Sequence, residues 1–258
     1  MFKNNGKEGN LTSMTPQNKG SDSSPQESEF NGFPEALVAI QDPTSAASEA
    51  YRMLRTNLFY ARVDIPPKVI VLTSAGRDEG KSTTVANLGV TLARAGKHTL
   101  ILDCDLRKPT QHSIFRTRNI MGLVDLLIGE QEPQEVWIEP IPNLKLIPAG
   151  APPPNPAEIL TSRRLTEFLG RVRQDFDYVL VDTPPMGYVS EAAALAANGD
   201  GVLLILDSQR TRKGALRQAL RRLRSVGANV LGTVMNKYEV SRGGAAEAGY
   251  YPTAPTDY

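Results

Sequence analysis

Apolar positions along the chain follow two rhythms. Short runs are apolar at nearly every position. Longer segments between them repeat an apolar residue every three or four positions. The first rhythm predicts strands at 68–74 (KVIVLTS), 98–105 (HTLILDCD), 144–150 (LKLIPAG), 178–185 (YVLVDTPP), 201–207 (GVLLILD) and 229–236 (NVLGTVMN). The second predicts helices at 81–96, 122–129, 156–176, 190–199 and 213–227, with Gly96 ending the first and Pro156 suited to the opening turn of the third. Strands without polar alternation, separated by helices, are those of a mostly parallel sheet covered on both faces. The expected class is therefore α/β.

Upstream, SAASEAYRMLRTNLFYARVD has helical spacing from about 45 to 62. It carries an apolar stripe of Ala50, Met53, Leu54, Leu58 and Ala61 beside Glu49, Arg52 and Arg55, and Pro66 and Pro67 stop it. Residues 1–35 are rich in Asn, Ser, Gln, Gly and Lys and have no apolar period, the composition of a disordered tail. From Ser241 the pattern is lost again, leaving a flexible end at 241–258 and an ordered domain at 36–240. No apolar run approaches the roughly 20 residues that cross a bilayer, and no apolar segment follows the N-terminal Met-Phe-Lys-Asn.

Charge and composition narrow the function classes without choosing one. The net charge of +1 gives no reason to expect nucleic acid. The single cysteine, Cys104, excludes a disulfide framework and a C-x-x-C cluster site, and suits a reducing cytoplasm. His98 and His112 lack metal-ligand spacing. The segment around 210–224 holds Arg210, Arg212, Lys213, Arg217, Arg221, Arg222 and Arg224; it reads first as a solvated face, and otherwise as a surface for anionic lipid or an acidic partner.

The chemistry lies at the strand ends. After the first strand, AGRDEGKST fits [AG]-x-x-x-x-G-K-[ST] from Ala75 to Ser82. Such a loop cradles phosphates with successive backbone N–H groups, here expected from Gly76, Arg77, Asp78, Glu79, Gly80 and Thr83 as well as Lys81 and Ser82. Lys81 is expected on the β- and γ-phosphates and the Ser82 hydroxyl on Mg²⁺. The second strand ends in Asp103 and Asp105, two residues apart and so on one side of the strand; Asp182 ends the fourth after four apolar positions and suits a Walker-B acid. Asp103 and Asp105 divide naturally into one acid near the metal and one near the incoming nucleophile. In open parallel sheets ligands bind at the carboxyl ends of strands. These motifs specify a P-loop nucleotide triphosphate site with Mg²⁺. ATP is favoured over GTP, since Asn236 and Lys237 are not followed by the aspartate of N-K-x-D; Asn236 is a candidate contact to the base.

Taken with EAYRMLRTN, GLVDLLIG and LIPAGAPPPNPAEIL, these motifs resemble the bacterial tyrosine autokinases of capsule and exopolysaccharide synthesis, in the soluble form whose membrane activator is a separate protein. The resemblance runs from about Glu49 to Asn236. It implies that Lys81 binds phosphate, that Ser82, Asp105 and Asp182 arrange Mg²⁺, and that one of Asp103 and Asp105 is the base. It further implies that Glu49, Arg52 and Arg55 join subunits in a ring, and that Tyr250, Tyr251 and Tyr258 accept the phosphate. The implied partners are a polysaccharide co-polymerase activator that recruits the kinase to the inner face of the membrane, a cognate tyrosine phosphatase, and no nucleic acid. The loop departs from the family's usual Pro-Gly-Glu-Gly, reading Arg77, Asp78, Glu79, Gly80. The competing reading is a switch ATPase of the partitioning and septum-positioning type; Ala75 stands where those proteins usually carry an additional lysine.

Overall fold

The computed structural model describes residues 34–61, 66–129, 131–187 and 190–238. Its strands are β1 (Val69–Ser74), β2 (Thr99–Asp103), β3 (Ile138–Ile141), β4 (Leu144–Ile147), β5 (Tyr178–Asp182), β6 (Gly201–Asp207) and β7 (Val230–Asn236). Its helices are α1 (Val38–Gln41), α2 (Ala46–Tyr60), α3 (Lys81–Arg94), α4 (Gln111–Ile114), α5 (Leu123–Ile128), α6 (Pro133–Val136), α7 (Pro156–Leu160), α8 (Arg163–Asp175), α9 (Glu191–Asn198) and α10 (Lys213–Ser225).

The strands form one sheet in the order β3-β4-β2-β5-β1-β6-β7, parallel except for β3 against β4. Every residue of β1, β2, β5 and β6 is buried, as continuous apolar strands covered on both faces require. Burying each such Leu, Ile or Val side chain is worth roughly 1.5–3 kcal/mol relative to exposure. Order within the sheet positions the site. β1, β5 and β2 are neighbours, so the P-loop, Asp182 and Asp103 leave the same edge side by side, and Asp103 pairs in register with Asp182.

Four expectations change. Strand β3 lacked an apolar run and contains Pro140, which has no N–H to donate; it is accommodated because β3 is an edge strand. Pro142 and Asn143 turn it back into β4, with Asn143 at φ +65°, the arrangement a type II turn favours. The helix expected at 156–176 is two helices. Ser162 caps the second, its Oγ accepting from Leu165 N at 3.3 Å, while Thr161 Oγ1 closes the first on the Ala157 carbonyl at 2.8 Å. The second strand stops at Asp103, leaving Asp105 on the following loop.

The fourth change concerns α2. Of its expected stripe only Leu58 is fully buried; Leu54 is half-buried, and Ala50, Met53 and Ala61 are exposed. The docked face runs instead through Ser48, Tyr51, Arg55 and Leu58, a helical repeat offset from the stripe. Its polar members find partners: Tyr51 hydrogen-bonds Thr84, and Arg55 Nη1 donates to the Thr91 carbonyl at 3.4 Å. Phe59 stacks on Tyr178, ring centroids 5.9 Å apart. Upstream, residues 36–39 are pinned to α3 by Asn87, whose Oδ1 accepts from Ala39 N at 2.9 Å and whose Nδ2 donates to the Ala36 carbonyl at 2.7 Å.

Candidate functional site

The loop between β1 and α3 owes its shape to two left-handed residues. Asp78 takes φ +58° and Gly80 takes φ +85°. At Gly80 glycine is required twice over: a Cβ there would lie 1.8 Å from Asn236 Nδ2, and the backbone conformation disfavours any L side chain. We expect Gly80→Ala to lower stability by at least about 1–2 kcal/mol from the backbone alone and to weaken nucleotide binding more than tenfold. Thermal unfolding and titration with a fluorescent ADP analogue check both, and near-wild-type values would contradict this account of the loop.

Glu79, expected to offer its backbone N–H to the nucleotide, and Asn236, expected at the base, both brace the loop with their side chains. The buried Glu79 carboxylate accepts from Gly76 N at 2.9 Å and from the Thr211 hydroxyl before α10. Asn236 Nδ2 donates to the Glu79 carbonyl at 3.0 Å. Next to it, Lys237 Nζ donates to the Asp78 carbonyl at 2.7 Å and to Asp207 at 2.8 Å. The ends of β6 and β7 therefore hold the P-loop from one side. On the other, the Asp78 carboxylate reaches Lys108 at 3.2 Å.

Beside the loop is a cavity of about 760 Å³, lined among others by Arg77, Lys81, Ser82, Asp105, Arg107 and Lys237. Its size suits a small-molecule ligand. Lys81, at the first position of α3, is buried and joins the acids: its ammonium pairs with Asp182 Oδ1 in a short contact, lies 3.9 Å from Asp105 Oδ2 and donates to Ser82 Oγ at 3.0 Å. Arg107 is held at the cavity rim by the buried Glu191, 2.8 Å from its Nη2.

Asp103 and Asp105 differ in kind. Asp105 lines the cavity; Asp103 does not and is fully buried. Asp103 Oδ2 accepts from the backbone N–H groups of Thr110 and Gln111, both at 3.0 Å, and Oδ1 from Asp105 N at 3.3 Å. Burial first, then the neighbouring charge of Asp182, pushes the Asp103 carboxyl up to about 7, against the lowering influence of the Gln111 amide and Lys81. Burial also raises Asp105, opposed mainly by Lys81.

The arrangement accommodates magnesium. Among the described residues no three His, Cys, Asp or Glu side chains form a metal-holding group. Mg²⁺ does not need one. It retains waters and is commonly bound by one or two carboxylates with substrate phosphates. The Ser82 hydroxyl and the carboxylates of Asp105 and Asp182 supply oxygen donors of that class around Lys81.

Of the expected subunit contacts, Glu49 and Arg52 remain half-exposed and pair with each other at 2.6 Å, whereas Arg55 turns onto its own α3. Tyr250, Tyr251 and Tyr258 lie outside the described residues. Sequence reasoning did not find Gln111, Glu191 or Thr211, nor the bracing role of Lys237. Each acts across long sequence separation, and no motif marks it. Among the described residues no helix is long and apolar enough to cross a membrane.

Residues 67–234 match the family model described as an AAA domain. The tyrosine-protein kinase YwqD of Bacillus subtilis (strain 168) is 38% identical over 218 residues, covering 84% of this chain and 91% of the relative. The crystal structure of the chimerical protein CapA2B2 superposes with a TM-score of 0.77 at 34% identity, covering 81% of this chain and 96% of that one. The septum site-determining protein MinD from Pyrococcus horikoshii OT3, solved with Mg-ADP, gives a TM-score of 0.58 at 23% identity over 68% of this chain and 72% of that one, a likeness of fold alone. Identity of 38% to a tyrosine-protein kinase over 84% of this chain and 91% of the relative, on a sheet that sets the P-loop lysine between Asp182 and Asp105, establishes that the chain belongs to the bacterial tyrosine-kinase family.

Proposed function

We propose that the chain transfers the γ-phosphoryl group of ATP to tyrosines of its own C-terminal segment, Tyr250, Tyr251 and Tyr258, on a neighbouring subunit. Membership of the family makes it an ATP- and magnesium-dependent tyrosine autokinase of the capsular and exopolysaccharide type. The proposal is the division of labour and the acceptors. The observation that carries it is the buried Lys81 ammonium, held between Asp182 and Asp105 beside the cavity and ready to exchange its carboxylate partners for phosphate.

Phosphoryl transfer asks little covalent chemistry of the protein and depends on positioning and charge neutralisation. Backbone N–H groups at the start of α3 and Lys81 orient the β- and γ-phosphates. Ser82, Asp105 and Asp182 would hold Mg²⁺, which would supply positive charge to offset that of the phosphates. A tyrosine hydroxyl, with a pKa near 10, arrives protonated. Its oxygen forms the new bond to phosphorus as the bond to the ADP oxygen breaks, and its proton passes to a carboxylate. With Asp105 and Asp182 engaged at the metal, that carboxylate is Asp103, the remaining acid of the cluster, paired in register with Asp182. The second reading assigns the proton to Asp105, favoured by its place on the cavity wall.

Segment 241–258 can span roughly 60 Å when extended, enough to reach an adjacent active site. The half-exposed Glu49 and Arg52 on α2, beside Met53 (52% exposed), form the surface assigned to ring contacts. A membrane activator recruits the ring to the inner face of the membrane, and a cognate phosphatase resets it. Each added phosphate brings about −1.5 to −2 charges, so several on one tail favour separation of subunits.

The test is an intact mass spectrum of the purified protein before and after Mg·ATP, with the activator's cytoplasmic segment supplied. Steps of one phosphate should appear, map to the three tail tyrosines, and vanish in a chain ending at Gly249. ATP turnover with an unchanged mass would instead support the switch ATPase.

A further inference from the structure

Gln111 opens α4, a short helix that neither the P-loop nor the acid motifs include, and its side chain is wholly buried. Three members of the site converge on it. Its backbone N–H donates to Asp103 Oδ2 at 3.0 Å. Its side-chain Nε2 donates to Asp182 Oδ2 at 2.7 Å and to the carbonyl of Ser82 at 3.0 Å. Both neighbours of Nε2 are acceptors, so only the NH₂ end of the amide can face them. That orientation leaves Oε1 buried with no hydrogen-bond partner among the described residues. Because Nε2 and Oε1 share one carbon, the orphaned oxygen belongs to the same amide that holds the Asp182 carboxylate and the Ser82 backbone, the two residues assigned to magnesium through carboxylate and hydroxyl.

An unsatisfied buried amide oxygen is unfavourable, and such a group in a folded protein asks for an explanation. A core residue of this size could be Leu or Met at no such cost. The two donated bonds account for Nε2 and leave Oε1 unexplained. They also fix Asp182 from the side opposite Lys81, since Oδ1 takes the ammonium and Oδ2 takes the amide.

We propose that Gln111 is a positioning residue of the magnesium site: Nε2 sets the Asp182 carboxylate and the Ser82 backbone in the geometry the ion requires, and Oε1 accepts a hydrogen bond from water that enters with it. This deepens, and rests on, the magnesium site proposed above. Outer partners that orient metal-associated carboxylates typically change metal affinity by about 10–100-fold when removed.

The experiment compares Gln111→Met, nearly the same size but without an amide, with the wild type in the full chain. Affinity for a fluorescent ADP analogue is measured in Mg²⁺ and in EDTA, alongside thermal unfolding without ligand. The wild type should bind more tightly in Mg²⁺. In Gln111→Met that Mg²⁺-dependent gain should shrink about tenfold or more while affinity in EDTA changes little. Thr117→Val, which removes another buried unpartnered oxygen from a residue outside the P-loop and the acid motifs, serves as the control and should keep the full gain. Equal losses in Mg²⁺ and EDTA, or a fall in thermal midpoint with the Mg²⁺ gain intact, would give Gln111 a structural role and overturn the proposal. Should Gln111→Met not fold, Gln111→Asn keeps the amide but is one methylene too short to serve both acceptors, and the same loss of Mg²⁺ gain is expected. A wild type indifferent to Mg²⁺ would instead refute the magnesium site itself, a separable outcome.

Discussion

Lys81→Met should reduce tail phosphorylation by about 10³-fold, the scale seen when a charged group aimed at a transferring phosphoryl is removed. Its effect on the nucleotide-free protein is the more informative. In that state the Lys81 ammonium pairs with Asp182 Oδ1 and stands 3.9 Å from Asp105. Deleting one partner of a buried pair strands the other, typically at a cost of about 3–5 kcal/mol. Magnesium can replace the missing charge only where Lys81 is gone or drawn elsewhere. Thermal unfolding should therefore show Mg²⁺ alone stabilising Lys81→Met strongly and the wild type weakly. Mg·ATP should stabilise the wild type most, because the phosphates draw Lys81 away from Asp182 and free the carboxylate for the ion. Equal responses to Mg²⁺ alone would mean that lysine and metal do not compete for Asp182. Competition of this kind would make nucleotide and metal bind together in the wild type, and the empty site would then not collect magnesium without its substrate.

Much of this arrangement is legible in the sequence, and the reason is local. β1, β2, β5 and β6 announce themselves because a strand covered on both faces must be apolar throughout. Lys81, Asp105 and Asp182 are legible because they sit at strand ends or just beyond, and parallel sheets gather those ends. What escaped depends on partners far away in the chain. The stripe on α2 was a fair reading of hydrophobicity, yet the helix docks through a tyrosine hydroxyl and an arginine whose partners, Thr84 and Thr91, lie on α3. Glu79 stands in the P-loop as though to meet a ligand, but turns to Gly76 and Thr211. The break between α7 and α8 carries neither Gly nor Pro, only a capping serine that a continuous helix could equally hold on its surface.

Asp103→Asn separates catalysis from stability. If Asp103 takes the tyrosine proton, the variant should lose about 10²–10⁴-fold in phosphoryl transfer and keep its affinity for Mg·ADP. Asn retains an oxygen for the N–H groups of Thr110 and Gln111, which hold the start of α4, and gives up only the longer 3.3 Å bond that Oδ1 accepts from Asp105 N. The stability prediction follows from the raised pKa. Unfolded, the carboxyl titrates near 3.9; folded and metal-free, it titrates near about 7. Between those values the folded state holds a proton that the unfolded state has lost. This group's contribution is thus fully present below about pH 4 and declines as pH rises to about 7. In EDTA at pH 8 the wild type must bury an unwelcome charge, whereas Asn cannot ionise. Asp103→Asn should be at least as stable there, and should lose the part of the pH dependence that Asp103 supplies. Kinase assays on Asp103→Asn and Asp105→Asn, with midpoints measured at pH 5 and pH 8, complete the test. Retained transfer in Asp103→Asn with loss in Asp105→Asn would move the proton acceptor to the cavity wall. A large loss of stability at pH 8 would show that the ionised carboxylate of Asp103 is a structural necessity. The expected pattern, an inactive variant no less stable than the parent, is that of a carboxylate kept buried at a cost to the fold because the reaction needs a proton acceptor.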